Sequence, residues 1–295
     1  MRIFVTGATG FIGTAVIPEL QAAGHQVIGL TRSAEGADKL RARGVEVHHG
    51  TLEDPETLTR GAEKADAVIH LAFDHDFSDF PGNCRKDAAA IAALGAALKG
   101  SDRPLLITSA VGMGTPAPGE MAREDVLNLE QRNPRTASER AGQDLLQQGV
   151  NVTAIRLSQI HDTRRQGLVS YLIDIARARG EAVYVGDGEA RWSACHIDDA
   201  ARLYRLAVEK ATPGARYNAV DEEGIRIRDI TQAIGESLTL PVRSIAAAAA
   251  GEELGAMAHF AVLDMKASSA WTRAELGWTP SGPSLLDDLA AMRHD

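Results

Sequence analysis

A short apolar strand, Ile3 to Val5, runs directly into the segment TGATGFIG, and a helix-capable run from Thr14 to Ala23 follows at once. This order of strand, glycine turn and helix constrains the fold more than any other feature of the chain. Gly7, Gly10 and Gly13 stand where glycine permits a tight turn, close approach of the backbone to a pyrophosphate, and close packing of helix on strand. Phosphates at this place would meet the N-terminal dipole and free N–H groups of the helix. Gly7, Thr9, Gly10, Phe11, Ile12 and Gly13 are therefore the candidate contacts to a dinucleotide.

Apolar runs alternate with helix-length segments over the first half: Val27 to Thr31, Val45 to His48, Ala67 to Ala72 and Leu105 to Ser109 follow the first strand. Such alternation means βαβ units and a parallel sheet. A sixth run, Val152 to Leu157, follows the helical stretch Thr136 to Gln148 and its terminating Gly149. The expected architecture is α/β, a Rossmann-type doubly wound parallel sheet over residues 1–157. Later segments return to it, and 158–295 forms mainly a smaller, mostly helical substrate-binding region. Within that region the sequence predicts helices around Leu168 to Arg179 and from Asp198 to Lys210, separated by a turn-rich GDGEARW segment. The alanine run Ala246 to Ala250 reads as helix rather than linker.

In doubly wound folds a carboxylate about 20 residues after the glycine turn usually takes the adenosine ribose hydroxyls. This chain has Thr31-Arg32-Ser33 instead. A guanidinium and hydroxyls suit a 2′-phosphate, so NADP(H) is expected at Arg32 ahead of NAD(H). The formal net charge of -9 opposes binding to a nucleic-acid backbone or an anionic membrane surface. No run reaches the roughly 18 uncharged apolar residues of a membrane span, and the opening residues lack the h-region of a signal peptide, so a cytoplasmic location is expected. Cys84 and Cys195 have neither disulfide-framework nor metal-ligand spacing and read as small core residues; no metal site is expected. The expected partner is a small-molecule substrate, and a homo-oligomer is compatible with the sequence.

The glycine turn, GTLED at 50–54, HLAF at 70–73, LLITSA at 105–110, VTAIRL at 152–157, CHIDDAARLYRLA at 195–207 and LGWTP at 276–280 occur in series. Together they resemble an extended or atypical short-chain dehydrogenase/reductase of the epimerase/dehydratase type. The resemblance implies that Leu52 and Glu53 lie against the adenine, and that Leu71, Ala72 and Phe73 line the cofactor's path. It also implies a Tyr-x-x-x-Lys pair after the fifth strand, the lysine lowering the phenol's pKa so that it exchanges a proton with substrate oxygen. The chain departs from that pattern, because no tyrosine lies between Ser109 and Tyr171. One register puts Gln131 and Arg135 in the two places, with Glu139 as a family glutamate; another puts Arg135 and Glu139 there.

Ser109 ends a buried-looking strand at the cofactor crevice, where a hydroxyl can bind a substrate oxygen or the carboxamide; the adjoining Thr108 is placed with the cofactor. Arg135 is expected to hold a nicotinamide ribose or to polarise a carbonyl, and its truncation to spare the fold; a guanidinium stays charged and cannot donate its proton. A proton would come from water, His161, Tyr171 or the substrate itself. The expected function is an NADP-dependent oxidoreductase delivering hydride to a small carbonyl, imine or activated alkene. A redox-silent NADP(H) sensor and a sugar-nucleotide epimerase or dehydratase are the alternatives.

Overall fold

The computed structural model describes residues 1–293. In chain order the elements are β1 (Arg2–Thr6), α1 (Gly13–Ala22), β2 (Gln26–Thr31), α2 (Ala34–Arg41), β3 (Glu46–His49), α3 (Pro55–Glu63), β4 (Ala67–His70), α4 (Phe80–Leu98), β5 (Leu105–Ala110), α5 (Thr136–Gln147) and β6 (Val152–Leu157). There follow β7 (Gln159–His161), α6 (Val169–Arg179), β8 (Ala182–Val185), β9 (Arg191–His196), α7 (Ile197–Lys210), β10 (Arg216–Ala219), β11 (Glu222–Arg226), α8 (Ile227–Leu238), β12 (Val242–Ile245), α9 (Ala250–Leu254), α10 (Ala270–Leu276) and α11 (Leu285–Ala290). Local chemistry sets several of these boundaries. Ser33, Asp54 and Asp79 accept backbone N–H bonds at the starts of α2, α3 and α4, and Gly180 ends α6 in the left-handed conformation.

Seven strands form one sheet in the order β3-β2-β1-β4-β5-β6-β10, with every pairing parallel. The strand order reverses between β1 and β4, and the C-terminal ends of those strands open the crevice where such sheets bind ligands. Ile3, Val5, Ile69, Leu106 and Ile155 pack with α1 and α7 on one side of the sheet. Phe4, Val68, Leu105 and Ile107 pack with α3, α4 and α5 on the other. Burial on both faces explains why these strands read as continuous apolar runs rather than alternating ones.

Beyond Leu157 the chain leaves this sheet and returns to it, β10 pairing with β6 and α7 packing against α1. The rest builds a smaller assembly with its own core around Ile173, Trp192, Ile230, Ile234, Leu285 and Leu289. It adds a three-stranded sheet, β11-β9-β7, and the pair β12-β8 to the helices expected from the sequence. The GDGEARW segment connects β8 to β9, and the alanine run forms a 3₁₀ turn, Ala247–Ala249, leading into α9. Cys84 and Cys195 are free and buried, and no helix of the described residues is long and apolar enough to cross a membrane.

One buried ion pair locks α5 to the sheet. Arg156 of β6, fully buried, donates from Nε and Nη2 to the two carboxylate oxygens of Glu139 at 2.7 Å each, and its Nη1 donates to the Arg123 carbonyl at 3.1 Å. Removing one partner of such a pair leaves the other charge uncompensated in the core, whereas the intact pair adds little net stability. Glu139→Ala is therefore expected to cost about 3–5 kcal/mol, read as a lower urea midpoint without a change of slope. A loss below about 1 kcal/mol would show that solvent reaches Arg156 when its partner is gone.

Candidate active site

The glycine turn is shaped from both sides. Gly7 has φ +68°, and a Cβ there would lie 2.7 Å from the Ala72 nitrogen and 2.9 Å from the Ala72 Cα, so the turn packs against the backbone that follows β4. A Cβ on Gly13 would collide with the Gly7 carbonyl oxygen, which lets α1 sit directly on the turn. Gly10 differs, since a Cβ there would meet only the Gly7 oxygen at 3.2 Å and its φ is not positive. A side chain at position 10 would therefore press on the Gly7 carbonyl, though far less than at positions 7 and 13. Gly10 stands at the start of α1, where doubly wound folds take a dinucleotide pyrophosphate.

Around the expected adenine side, Leu52 is half-buried and Glu53 exposed. Lys86 of α4 bridges Glu53 at 3.0 Å and Asp74 at 2.7 Å, tying the loop after β3 to the loop after β4. The hydrogen bond from Lys86 lowers the Glu53 pKa, and it does the same for Asp74, where a bond from the Asp76 N–H adds to it. Arg32, exposed at the end of β2, makes no hydrogen bond or ion pair among the described residues, while Ser33 beside it caps α2. The turn-facing residues Leu71 and Ala72 are held by β1, whose Thr6 carbonyl accepts from Leu71 N–H and whose Thr6 hydroxyl accepts from Ala72 N–H.

Beneath the crevice lies a polar network that the sequence motifs did not disclose. Asp87 of α4 is 1% exposed and accepts from His70 Nε2 at 3.1 Å, from Arg135 Nη1 at 2.7 Å and from Ser138 Oγ at 2.6 Å. Because the carboxylate holds the Nε2 proton, His70 Nδ1 accepts from the Thr6 hydroxyl at 2.7 Å. Burial alone would raise the Asp87 pKa. The charge of Arg135 and the bonds from His70 and Ser138 outweigh it and hold the carboxyl below its ordinary range.

Arg135 is the cation of this network. Its Nη1 also donates to Ser138 Oγ, its Nη2 donates to the Thr108 carbonyl at 2.8 Å, and its guanidinium lies 4.0 Å over the Phe73 ring. The Thr108 hydroxyl is engaged as well, donating to the His70 carbonyl and accepting from the buried Tyr204 phenol. Ser109 is different: its Oγ is buried and has no hydrogen-bond partner among the described residues. The structure thus brings Phe73, Thr108, Ser109 and Arg135 together at the ends of β4 and β5. Gln131 donates to the Gly112 and Asn128 carbonyls and braces the loop before α5.

His161 stands apart from these residues, and its buried Nε2 has no hydrogen-bond partner among the described residues. Its ring is fully buried at the end of β7, with Nδ1 2.7 Å from Asp288 of α11 and its centroid 5.7 Å from that of His196. It braces the C-terminal helix against the small sheet. Tyr171 lies on α6 and is partly exposed.

Truncating Arg135 would leave the buried Asp87 carboxylate with hydrogen bonds from His70 and Ser138 but without its cation, so a cost to the fold is expected. Arg135→Ala is expected to lose about 3–5 kcal/mol at neutral pH. The sign of its pH dependence follows from the lowered Asp87 pKa. The ion pair contributes in full above the unfolded carboxylate value of about 4, and is lost as the pH falls through the lower folded value. The deficit of the variant should therefore shrink below about pH 4. Urea melts at neutral and acidic pH check this, and a deficit that does not change with pH would show that packing on Phe73 matters and charge does not.

The family model described as NAD dependent epimerase/dehydratase family matches residues 3–219. An uncharacterized protein of Schizosaccharomyces pombe is 42% identical over 292 residues, 99% of each chain. The 2'-dehydrokanamycin reductase of Streptomyces kanamyceticus is 29% identical over 86% of this chain and 72% of its own. Among solved structures, the dTDP-glucose 4,6-dehydratase of Streptomyces venezuelae, with NAD bound, superposes with a TM-score of 0.78 at 20% identity, covering 99% of this chain and 95% of that one. Glycine turn, strand order and the match over most of the chain lead to one assignment: this protein belongs to the NAD-dependent epimerase/dehydratase family.

Proposed function

We propose that the protein is an NADP(H)-dependent oxidoreductase that reduces a small carbonyl, imine or activated alkene, with residues 158–295 forming most of the cap over the substrate. The observation that carries this reading is the buried Ser109 hydroxyl at the end of β5, which has no hydrogen-bond partner among the described residues and directly follows Thr108, whose carbonyl Arg135 binds. A buried hydroxyl left unbonded is costly unless a ligand completes it, and a substrate oxygen or imine nitrogen would do so. A bound nicotinamide would supply or accept the hydride. Gly7, Gly10 and Gly13 would admit its pyrophosphate, and the unpaired Arg32 would meet a 2′-phosphate.

Arg135 in this reading acts as a fixed positive charge and not as a proton donor. Its guanidinium faces Asp87, Ser138, the Thr108 carbonyl and Phe73, so its contribution to the substrate is electrostatic and positional. The name of the 2'-dehydrokanamycin reductase supports reduction of a carbonyl on a polar molecule. One observation favours a second reading, a redox-silent NADP(H) sensor: both hydrogen-bonded arms of Arg135 are already engaged within the protein, and the family's Tyr/Lys pair is missing. The missing tyrosine also weighs against a sugar-nucleotide epimerase or dehydratase.

Coenzyme titration by protein fluorescence tests the cofactor assignment. NADPH should bind more tightly than NADH, and Arg32→Asp should abolish or reverse the preference. Gly10→Val should block both coenzymes by filling the cofactor space, with a smaller fall in thermal midpoint than Gly7→Val or Gly13→Val, because its Cβ meets only the Gly7 oxygen. Equal affinities at the outset would overturn the role given to Arg32, and retained binding by Gly10→Val would overturn the site itself.

Turnover is tested with a panel of ketones, imines and enones at about 1 mM, following NADPH oxidation, since common KM values lie at or below that level. Ser109→Ala should lower turnover by about 10²-fold, the effect of removing one hydrogen-bond donor to a developing charge, with NADPH affinity unchanged. A panel on which a protein that binds NADPH oxidises none of it makes the sensor the better reading.

A further inference from the structure

We propose that His75 exchanges the proton with the substrate oxygen, the task for which this chain has no Tyr/Lys pair. The inference rests on the oxidoreductase reading above. His75 lies in the connection between β4 and α4, at the C-terminal end of a strand beside the switch point. Its Nδ1 is 3.1 Å from the Phe73 carbonyl oxygen. A carbonyl only accepts, so Nδ1 carries a proton and the neutral ring presents a lone pair at Nε2. Its own loop thus fixes the tautomer that leaves one nitrogen free for acid–base work.

A chain of contacts leads from this ring to the backbone at the end of β5, next to Ser109. His75 stands edge-on to Phe73, centroids 5.2 Å apart at 78°. The Phe73 ring carries the Arg135 guanidinium at 4.0 Å, and Arg135 donates to the carbonyl of Thr108, the neighbour of Ser109. β4 and β5 are adjacent in the sheet, so these contacts run across neighbouring strand ends. The charged groups that face the ring are Asp74 on its own loop, Arg135 before α5 and Arg165 before α6. The ring reaches solvent on one side, yet the chain around it disfavours the cation. That desolvation and the two arginines outweigh the Phe73 carbonyl and Asp74, placing the His75 pKa below its ordinary value.

For a ketone the step balances as follows. The carbonyl carbon receives a hydride from a reduced nicotinamide, which is thereby oxidised. The carbon–oxygen π pair moves onto oxygen, to which Ser109 donates a hydrogen bond, and the oxygen takes the Nε2 proton of the His75 imidazolium. An alcohol and a neutral imidazole result. Reduction therefore needs the protonated ring, and its rate should fall as the pH rises through the lowered His75 pKa. Oxidation of the alcohol needs the neutral ring and should rise through that same pKa.

The test compares the unmodified protein with His75→Gln, using NADPH and the ketone of the panel that is reduced fastest. Expected are an unchanged NADPH affinity by fluorescence, a fall in reductive turnover of about 10²-fold or more, and loss of the pH-dependent limb. Imidazole NMR of the unmodified protein gives an independent readout: the resonance absent from His75→Gln should titrate below the usual histidine value and coincide with the kinetic limb. A variant that keeps both rate and limb, or a His75 resonance that titrates elsewhere, overturns the role of His75 and leaves the oxidoreductase reading intact. A protein that binds NADPH but oxidises it with nothing on the panel overturns that reading, and the His75 proposal with it; one that reduces imines or enones but no ketone overturns the His75 proposal alone.

Discussion

The Asp87 carboxylate is the point on which the crevice depends. It is buried, ionised below its ordinary range, and bound at once by residues of β4 and α5. A charge in that position is tolerated only if every neighbour keeps its place, because the desolvation cost of an unpaired ion in the core is several kcal/mol. The geometry above it is correspondingly fixed. Through His70 the carboxylate reaches Thr6 and the backbone of Ala72, which packs on Gly7; through Arg135 it reaches the end of β5. One ion thereby couples the glycine turn to the strand end that carries Ser109.

The same logic explains why α5 carries two unrelated buried ion pairs within a few residues. Arg135 precedes its first turn and faces α4, whereas Glu139, one turn on, faces Arg156 of β6. The first pair sets where the guanidinium stands, and the second sets the rotation of the helix that presents it. Neither pair is a strong argument for net stability, since apolar replacements of equal volume often do as well. What they supply is a unique register between helix and sheet, and a site built on a fixed cation requires that register more than it requires stability.

Much of this was legible in the sequence, and for physical reasons. Buried parallel strands must be apolar on both faces, so six strands of the large sheet announced themselves while the edge strand β10, with the sequence RYNA, did not; the glycine turn required glycine at 7 and 13 for steric reasons local to the turn. The short strands β7, β8, β9, β11 and β12 did not announce themselves, because each has few residues and pairs with partners far along the chain. Nor did Asp87, which sits in an otherwise ordinary helical stretch and acquires its meaning only when α4 packs beside α5. The contact of His161 with Asp288 was hidden for a related reason, because β7 belongs to the small sheet and meets a helix far along the chain. His75 was passed over because a histidine between two aspartates in a loop carries no periodic or spacing signal. Its significance comes from contacts with Phe73 and, through it, with Arg135.

On the register that puts Arg135 in the place of the lysine the resemblance implies, an arginine there changes more than one side chain, because it separates two tasks that the Tyr/Lys arrangement joins. A lysine beside a tyrosine is a compact charge that lowers the phenol's pKa while leaving the phenol to move the proton. A guanidinium offers more donors in a rigid plane, and here they hold Asp87, Ser138 and the Thr108 carbonyl. A cation so thoroughly bound cannot follow a proton during a reaction. Any acid–base chemistry must then sit on a second group that the cation influences from a distance. The loop after β4 meets that requirement, because Phe73 lies between the guanidinium and an imidazole whose tautomer is already set. On the proposed reading, electrostatic stabilisation resides in a fixed, buried network and proton exchange in a solvent-reaching loop, so each can be altered without rebuilding the other.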